Sequence, residues 1–339
     1  MKWYLETGPQ GSVVISTRIR LARNIADYPF PVRLSPEQGA QVIQKAHEAL
    51  NEEKSAAPEF EFIDMSKLTP ARAMSLSERH LISPEFAKNR EGRALMLINN
   101  ESVSIMLNEE DHIRIQVMLP GMQLGEALEQ AMRIDDLFDE KLRYAFDENL
   151  GYLTQCPTNL GTGLRASVML HLPALEQKGA LPNLSGAVSK LGLVMRGTYG
   201  EGSNVKGAFY QLSNQITLGI SEKQAIDNLS IVAGQIINQE LAAREALKKM
   251  GTAFEDKIWR SYGILSTARR LSTDEFMTLI SNVRLGATLG ILNFGLETIN
   301  ELINEAQPAT LTAAAGRNLD NSQRDELRAR IVREKLAQN

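Results

Sequence analysis

The sequence predicts an α+β fold, an antiparallel sheet flanked by helices with a helical region after it. Three observations carry this. Residues 94–120 (ALMLINNESVSIMLNEEDHIRIQVMLP) are rich in apolar and β-branched residues and alternate partly with period two. Segments with apolar residues at helical spacing flank that stretch on both sides. Beyond about residue 250 the strand signals stop and the texture stays helical. The 339 residues suit two domains, which we place at 1–248 and 249–339.

Taken in order, residues 1–33 read as irregular, punctuated by Pro9, Gly11, Pro29 and Pro31. Ser35-Pro36-Glu37-Gln38 starts a helix, with a serine cap, proline at the first helical position and a glutamine in the first turn. Val42, Ile43, Ala46 and Leu50 continue it. Asn99-Asn100 predicts a turn between antiparallel strands. Residues 122–146 return to a helical pattern through Leu124, Ala127, Leu128, Ala131, Met132 and Leu137. Residues 151–166 lack periodicity, and functional side chains concentrate on loops of this kind. A helix is expected around 184–195, then the Gly-rich RGTYGEGS, then a hairpin in AFYQLSNQITLG turning at Ser213-Asn214. Ser221-Glu222-Lys223-Gln224 is a capping box opening a helix to about Met250. Further helices start at Thr252 and at Ser272-Thr273-Asp274-Glu275.

Composition narrows the function. Lys+Arg 37 against Asp+Glu 41 gives a net charge of −4, which argues against direct nucleic-acid binding. A single cysteine excludes a disulfide framework and a Cys-based zinc site, and fits a reducing compartment. Four histidines and one cysteine lack metal-ligand spacing, so no protein-held metal is expected. No apolar run approaches the ~18 residues of a membrane span, and MKWYLETGPQ has no signal-peptide core. We therefore expect a cytoplasmic protein with no membrane partner.

The motifs of familiar nucleotide enzymes are missing. There is no GxxxxGK[ST] loop and no HRD or DFG. Residues 161–166 fit GxGxxA, but CPTNL before them is no buried parallel strand. The positive signal is a set of arginines in polar or Gly-containing settings: Arg18 and Arg20 in VVISTRIRLARN, Arg114, Arg165 and Arg196. Guanidinium forks bind phosphate oxygens bidentately, so several arginines could replace a phosphate loop. Taken singly, each is more simply a surface salt-bridge residue. Glu109 and Glu110 are adjacent, so on a strand only one can enter a given cleft. That one could orient a guanidinium and take its proton, or both could form a solvated acidic turn. Cys156 reads either as a reactive thiol or as a buried small hydrophobe.

Together these segments resemble the phosphagen (guanidino) kinase superfamily. CPTNLGTGLR at 156–165 resembles its active-site signature. STRIR at 16–20, NEEDHIR at 108–114 and RGTYGE at 196–201 resemble its other nucleotide and substrate segments, in order, over about residues 12–240. His80, in SERHLIS, resembles a nucleotide-contacting position. STRIR begins at Ser16, without the small helical domain that precedes it in phosphagen kinases. That departure, the RGTYGEGS wording and the helical C-terminal extension resemble the bacterial protein-arginine kinases within the superfamily. Arg324-Asp325-Glu326-Leu327-Arg328-Ala329 is similar to their RDxxRA motif, which is taken to bind phosphoarginine allosterically.

The resemblance implies an ATP-dependent kinase of arginine side chains in proteins, acting in bacterial quality control and stress response. It implies nucleotide contacts from Ser16, Thr17, Arg18, Ile19, Arg20, His80 and Arg114, from the run Arg165, Ala166, Ser167, Val168 and Met169, and from Arg196, Gly197, Thr198, Tyr199, Gly200 and Glu201. Glu110 would deprotonate the substrate guanidinium, Glu201 would supply a second carboxylate, and Cys156 would tune the guanidinium electrostatically. Mg²⁺ would be held through the nucleotide. Arg324, Asp325, Arg328 and Ala329 would form the phosphoarginine site, in a C-terminal region that also dimerises. The implied partners are protein substrates with exposed arginines, a zinc-containing activator, a transcriptional repressor, an AAA+ unfoldase-protease and further copies of the chain. Two alternatives share these residues: a kinase of a free guanidino compound such as arginine, and a non-catalytic phosphoarginine-binding adaptor.

Overall fold

The computed structural model describes residues 1–51, 58–197 and 207–337. β1 (Val14–Arg23) and α1 (Pro36–Asn51) come first. β2 (Phe60–Asp64), α2 (Pro70–Glu78), α3 (Pro84–Lys88), β3 (Ala94–Ile98), β4 (Val103–Leu107) and β5 (Ile113–Pro120) follow. Next are α4 (Leu124–Asp139), a small hairpin of β6 (Phe146–Asp147) and β7 (Gly151–Tyr152), and β8 (Leu164–His171). α5 (Pro173–Gln177), α6 (Leu181–Ser189), β9 (Leu193–Gly197), β10 (Phe209–Asn214) and the long α7 (Glu222–Lys248) lead to the helical region. That region holds α8 (Thr252–Thr267), α9 (Thr273–Thr288), α10 (Leu296–Glu305), α11 (Pro308–Ala315) and α12 (Asn321–Leu336).

Eight strands form one sheet in the order β2-β3-β4-β5-β1-β8-β10-β9, with antiparallel neighbours throughout. Period-two alternation gives the sheet two unlike faces. On one face Ile19 and Leu21 of β1 stand opposite Val117 and Ile115 of β5 and opposite Ala166 and Leu164 of β8. All six are fully buried, under α4 and α7. α4 turns Leu124, Ala127, Ala131, Ile134 and Phe138 inward. Truncating a buried phenylalanine such as Phe138 costs about 3–5 kcal/mol. The capping box at Ser221 and Gln224 is formed and starts α7.

The C-terminal helices share this core, which runs without a break from Val13 to Leu336. A buried polar knot ties them to the sheet. Arg244 of α7 and Arg284 of α9 both donate to the Ser12 carbonyl at 2.9 Å, and Arg284 also donates to the Gly11 carbonyl at 2.6 Å. Arg244 pairs with Glu240 at 2.7 Å and donates to the His171 carbonyl at 2.8 Å. Ser281 meets His171 Nε2 at 2.8 Å.

Several elements differ from the sequence expectation. Residues 1–33 contain β1, ten residues long and near the middle of the sheet. Its alternating arginines hide the apolar pattern of a buried strand. The expected helix at 184–195 stops at Ser189, and residues 193–197 form β9, because Gly192, at φ 71°, turns the chain. The stretch 151–166 holds β7 and the start of β8. No hairpin turns at Ser213-Asn214: β10 is a single strand between β8 and β9. Asn214 ends it by accepting from the Ala166 amide at 2.8 Å and donating to the carbonyls of Leu164 and Ile216.

Candidate active site

The second face of the sheet is polar, and the strand register assembles it. Arg20 of β1 stands opposite Gln116 of β5 and opposite Arg165 of β8. Arg18 stands opposite Ser167, which stands opposite Ser213 of β10. Gln211 of β10 stands opposite Arg196 of β9, and Arg114 lies two residues before Gln116. Five arginines from four strands thus share one face. They line a cavity of about 610 Å³, which His80, Ser83, Gln116, Gln211 and Ser213 also line. Its far wall comes from the helical region, through Thr273, Gln307 and Pro308.

Among the described residues few negative charges balance this cluster. Arg18 donates to Gln211 Oε1 and to Ser167 Oγ, both neutral partners. Burial, then the neighbouring guanidiniums Arg114 and Arg165, pull Arg18 down to about 10. Arg20 is pushed well below its usual range by burial and by Arg18, Arg114 and Arg165, and its Nε is buried without a partner among the described residues. Burial and Arg196 lower Arg165. Burial and Arg18 lower His80 to about 4, so its imidazole is neutral at pH 7. Arg114 carries its own counter-charge. It pairs with Glu109, whose Oε1 accepts from Ser83 Oγ at 2.6 Å. Burial alone would raise the Glu109 carboxyl, but Arg114 and Ser83 outweigh it and hold it low.

Glu110 and Cys156 stand at the rim of this cluster. Glu110 is more exposed than Glu109 and lies 3.9 Å from Arg114. Both Glu110 and Cys156 are near enough to Arg165 to act on its charge. Neither lines the main cavity. Two buried nodes hold their loops together. Asp111, next to Glu110, accepts from Asn24 Nδ2 at 2.7 Å and from the Gln155 amide, next to Cys156, at 2.8 Å. Fully buried Arg23 donates twice to Asp135, at 3.0 and 2.7 Å, and to the Thr162 carbonyl at 3.1 Å, and lies 3.5 Å over the Tyr152 ring. The glycines of GTG are structural. At φ 108° and 63°, Gly161 and Gly163 have backbone oxygens of Thr217 and Ala22 where a Cβ would go, at 2.3 and 2.6 Å. An antiparallel strand follows them, so the dinucleotide reading of 161–166 fails.

Residues 41–243 match the family described as ATP:guanido phosphotransferase, C-terminal catalytic domain. Residues 251–339 match the family described as protein-arginine kinase McsB C-terminal domain. The chain belongs to the protein-arginine kinase family. It is 49% identical to the protein-arginine kinase of Caldanaerobacter subterraneus subsp. tengcongensis, over 96% of this chain and 97% of that one. It is 48% identical to the protein-arginine kinase of Brevibacillus brevis, over 98% of this chain and 94% of the relative. Among solved structures it is similar to lombricine kinase, with a TM-score of 0.61 and 27% identity over 71% of this chain and 69% of that one.

Not every residue drawn from the resemblance lies in the cavity of this protein-arginine kinase family member. Arg18, Arg20, His80, Arg114, Arg165, Arg196 and Gly197 line it. Ser16, Ser167 and Met169 share the polar face and line a small recess beside it. Thr17, Ile19, Ala166 and Val168 alternate to the apolar face and are fully buried in the core. Thr17 Oγ1 is spent on the turn after β5, donating to the Gly121 carbonyl at 2.7 Å and accepting from the Gln123 amide at 2.9 Å. Thr198, Tyr199, Gly200 and Glu201 lie outside the described residues. In α12, Arg328 is 1% exposed and donates to the carbonyls of Ala306 and Leu271, to Thr273 Oγ1 and to Asp325. Ala329 is fully buried, whereas Arg324 and Asp325 keep part of their surface. Sequence reasoning missed Gln116, Gln211 and Ser213, which strand alternation could have found, and Thr273, Gln307 and Pro308, which carry no sequence signal.

Proposed function

We propose that this protein transfers the γ-phosphoryl group of ATP to arginine side chains of other proteins. The observation that carries this is the convergence of five arginines on one cavity with Glu110 and Cys156 at its rim. The arginine face suits a polyanion, because each guanidinium there raises the cost of the others until phosphate oxygens arrive. The relatives' catalytic-domain description and names support the donor and the acceptor.

The substrate guanidinium is protonated at neutral pH and is a poor nucleophile. Glu110 accepts a proton from its terminal nitrogen, and the freed lone pair attacks the γ-phosphorus. A nitrogen–phosphorus bond forms as the phosphorus–oxygen bond to ADP breaks. Arg114, Arg165 and Arg20 balance the charge that builds on the phosphoryl oxygens and the leaving group. Cys156 lies beside the acceptor and tunes its charge electrostatically, and Glu201 gives a second carboxylate. Mg²⁺ would enter on the nucleotide phosphates and partly neutralise them.

By the same reading, the partly exposed Arg324 and Asp325 meet phosphoarginine, buried Arg328 and Ala329 hold α12 in place beneath them, and the helical region makes contacts between copies. On this reading it acts in cytoplasmic protein quality control and stress response. No described helix is long and apolar enough to cross a membrane. The test is mass spectrometry after incubation with ATP and either a protein or free arginine. Acid-labile phosphate on protein arginines is the expected result. Phosphate on free arginine alone would make this a small-guanidine kinase, and none on either would leave an adaptor.

A further inference from the structure

Beside the arginine cavity, and sharing Glu78 and His80 with it, is a narrow apolar recess. Its volume is about 40 Å³, enough for a small polar group but not for a ring system. One side is the N-terminal turn with Trp3 and Tyr4, and the other is Met277, Asn300 and Ile303 from the helical region. Two polar atoms of its lining residues are buried without partners among the described residues: the Asn300 Oδ1 acceptor and the Trp3 Nε1 donor. Asn300 is 6% exposed and Trp3 5%. A buried acceptor and a buried donor left unpaired are costly, so a group that entered the recess and paired both would gain from each.

We propose that this recess reads the base of the nucleotide: Asn300 Oδ1 accepts from the exocyclic amine of adenine, and Trp3 Nε1 donates to a ring nitrogen. The proposal rests on the reading that the arginine cavity holds the triphosphate. The geometry is consistent with it. The phosphates occupy the arginine end, the ring lies toward His80, and only the amine-bearing edge of the base enters the recess. A 6-oxo purine would set its carbonyl oxygen against Asn300 Oδ1, two acceptors with no proton between them. The helical C-terminal region thereby becomes part of the nucleotide site, so base selectivity would depend on how it packs.

The test compares ATP, purine riboside triphosphate (which lacks the amine) and inorganic tripolyphosphate by calorimetry on the full chain. The wild-type protein should bind ATP about tenfold more tightly than the deamino analogue, the worth of one buried hydrogen bond. Asn300→Ala should bring that ratio close to one and leave tripolyphosphate binding unchanged. A second measurement leaves the recess intact. Trp259 is 51% exposed, so Trp259→Phe makes Trp3 the sole tryptophan at little structural cost. Trp3 emission should then change with ATP and not with tripolyphosphate. An unchanged ATP preference in Asn300→Ala, or Trp3 emission indifferent to ATP, overturns the base-reading role. Failure of the wild-type protein to bind tripolyphosphate would instead overturn the triphosphate assignment beneath it.

Discussion

Arg20 and Arg165 face each other directly across β1 and β8, near the middle of the sheet. Directly opposed like charges destabilise a strand pair. Neither residue has an ion-pair partner among the described residues, and both have lowered proton affinity, first through burial. The fold therefore holds two cations together that a polyanion would satisfy.

This juxtaposition predicts a trade between stability and binding. Arg165→Met should stabilise the ligand-free protein by up to about 1 kcal/mol, from relief of the cross-strand repulsion. The same change should weaken ATP by at least about thirtyfold, since losing a buried charge partner costs ~2 kcal/mol or more. Thermal melts with and without ATP measure both effects. A variant less stable than the parent and binding ATP as well would refute the arrangement.

The two neighbouring carboxylates should separate cleanly. Glu110→Gln should lower turnover by about 10²–10⁴-fold with ATP affinity kept, as expected for loss of a general base. Glu109→Gln leaves Arg114 buried without its counter-charge, so it should lose both stability and nucleotide binding. Kinetics, ATP titration and denaturant melts on the pair distinguish them. Equal effects on all three would assign both residues to one role.

Cys156→Ser should cut turnover by orders of magnitude without unfolding the chain, because the volume change is small. Alkylation of Cys156 should inhibit too, with ATP partly protective, since the thiol lies close to Arg165. Full activity in the serine variant would reduce Cys156 to packing.

The pH dependence has a definite sign at His80. Its folded-state pKa of about 4 lies below the ~6.5 of an unfolded histidine. As pH falls below 6.5 the unfolded chain gains a proton that the folded chain refuses, so stability is lost down to about pH 4. His80→Asn suits the backbone, which sits at φ 62° where asparagine is tolerated. That variant should flatten the stability curve across this window by up to one proton, about 1.4 kcal/mol per pH unit. The depressed carboxyl of Glu109 acts lower: its contribution holds above the unfolded carboxylate range and disappears only as pH falls through its folded value. Urea melts at pH 7, 6 and 5 on parent and variant measure the slope, and identical slopes would show that His80 takes up its proton equally in both states.

The α12 motif divides in the same way. Arg328→Ala removes a guanidinium that bridges α12 to Leu271, Thr273 and Ala306, and should cost about 3–5 kcal/mol of stability. Arg324→Ala should leave the fold nearly intact and abolish phosphoarginine binding in calorimetry, whereas Asp325→Ala should abolish binding and also lower stability, because Asp325 is the counter-charge of buried Arg328. Unchanged affinity in Asp325→Ala would return this helix to a purely structural role.

Helix starts were legible in the sequence because capping is local: Ser35, Ser221 and Ser272 each accept from a backbone amide three residues on. The four motif segments were legible as well, since each is a short run of residue types with their own chemistry. β9 and the partners of β10 were not, because a strand's edges and partners are set by residues far away in sequence. Ser213 and Asn214 look like a turn until β8 and β9 are present to pair with β10.

The sequence by itself determined which residues carry charge, where the helices begin and which superfamily the motifs resemble. Only the tertiary structure decided which of those residues meet. Strand register turned alternate positions of STRIR and RASVM toward the cavity and sent Thr17, Ile19, Ala166 and Val168 into the core. It separated Glu109, neutralised by Arg114, from the freer Glu110. It also set Thr273 and Gln307 of the helical region against the arginine cavity, and Asn300 against the recess beside it. The reason is physical: period two assigns a side chain to a face, but only pairing and packing across hundreds of residues decide what that face encloses.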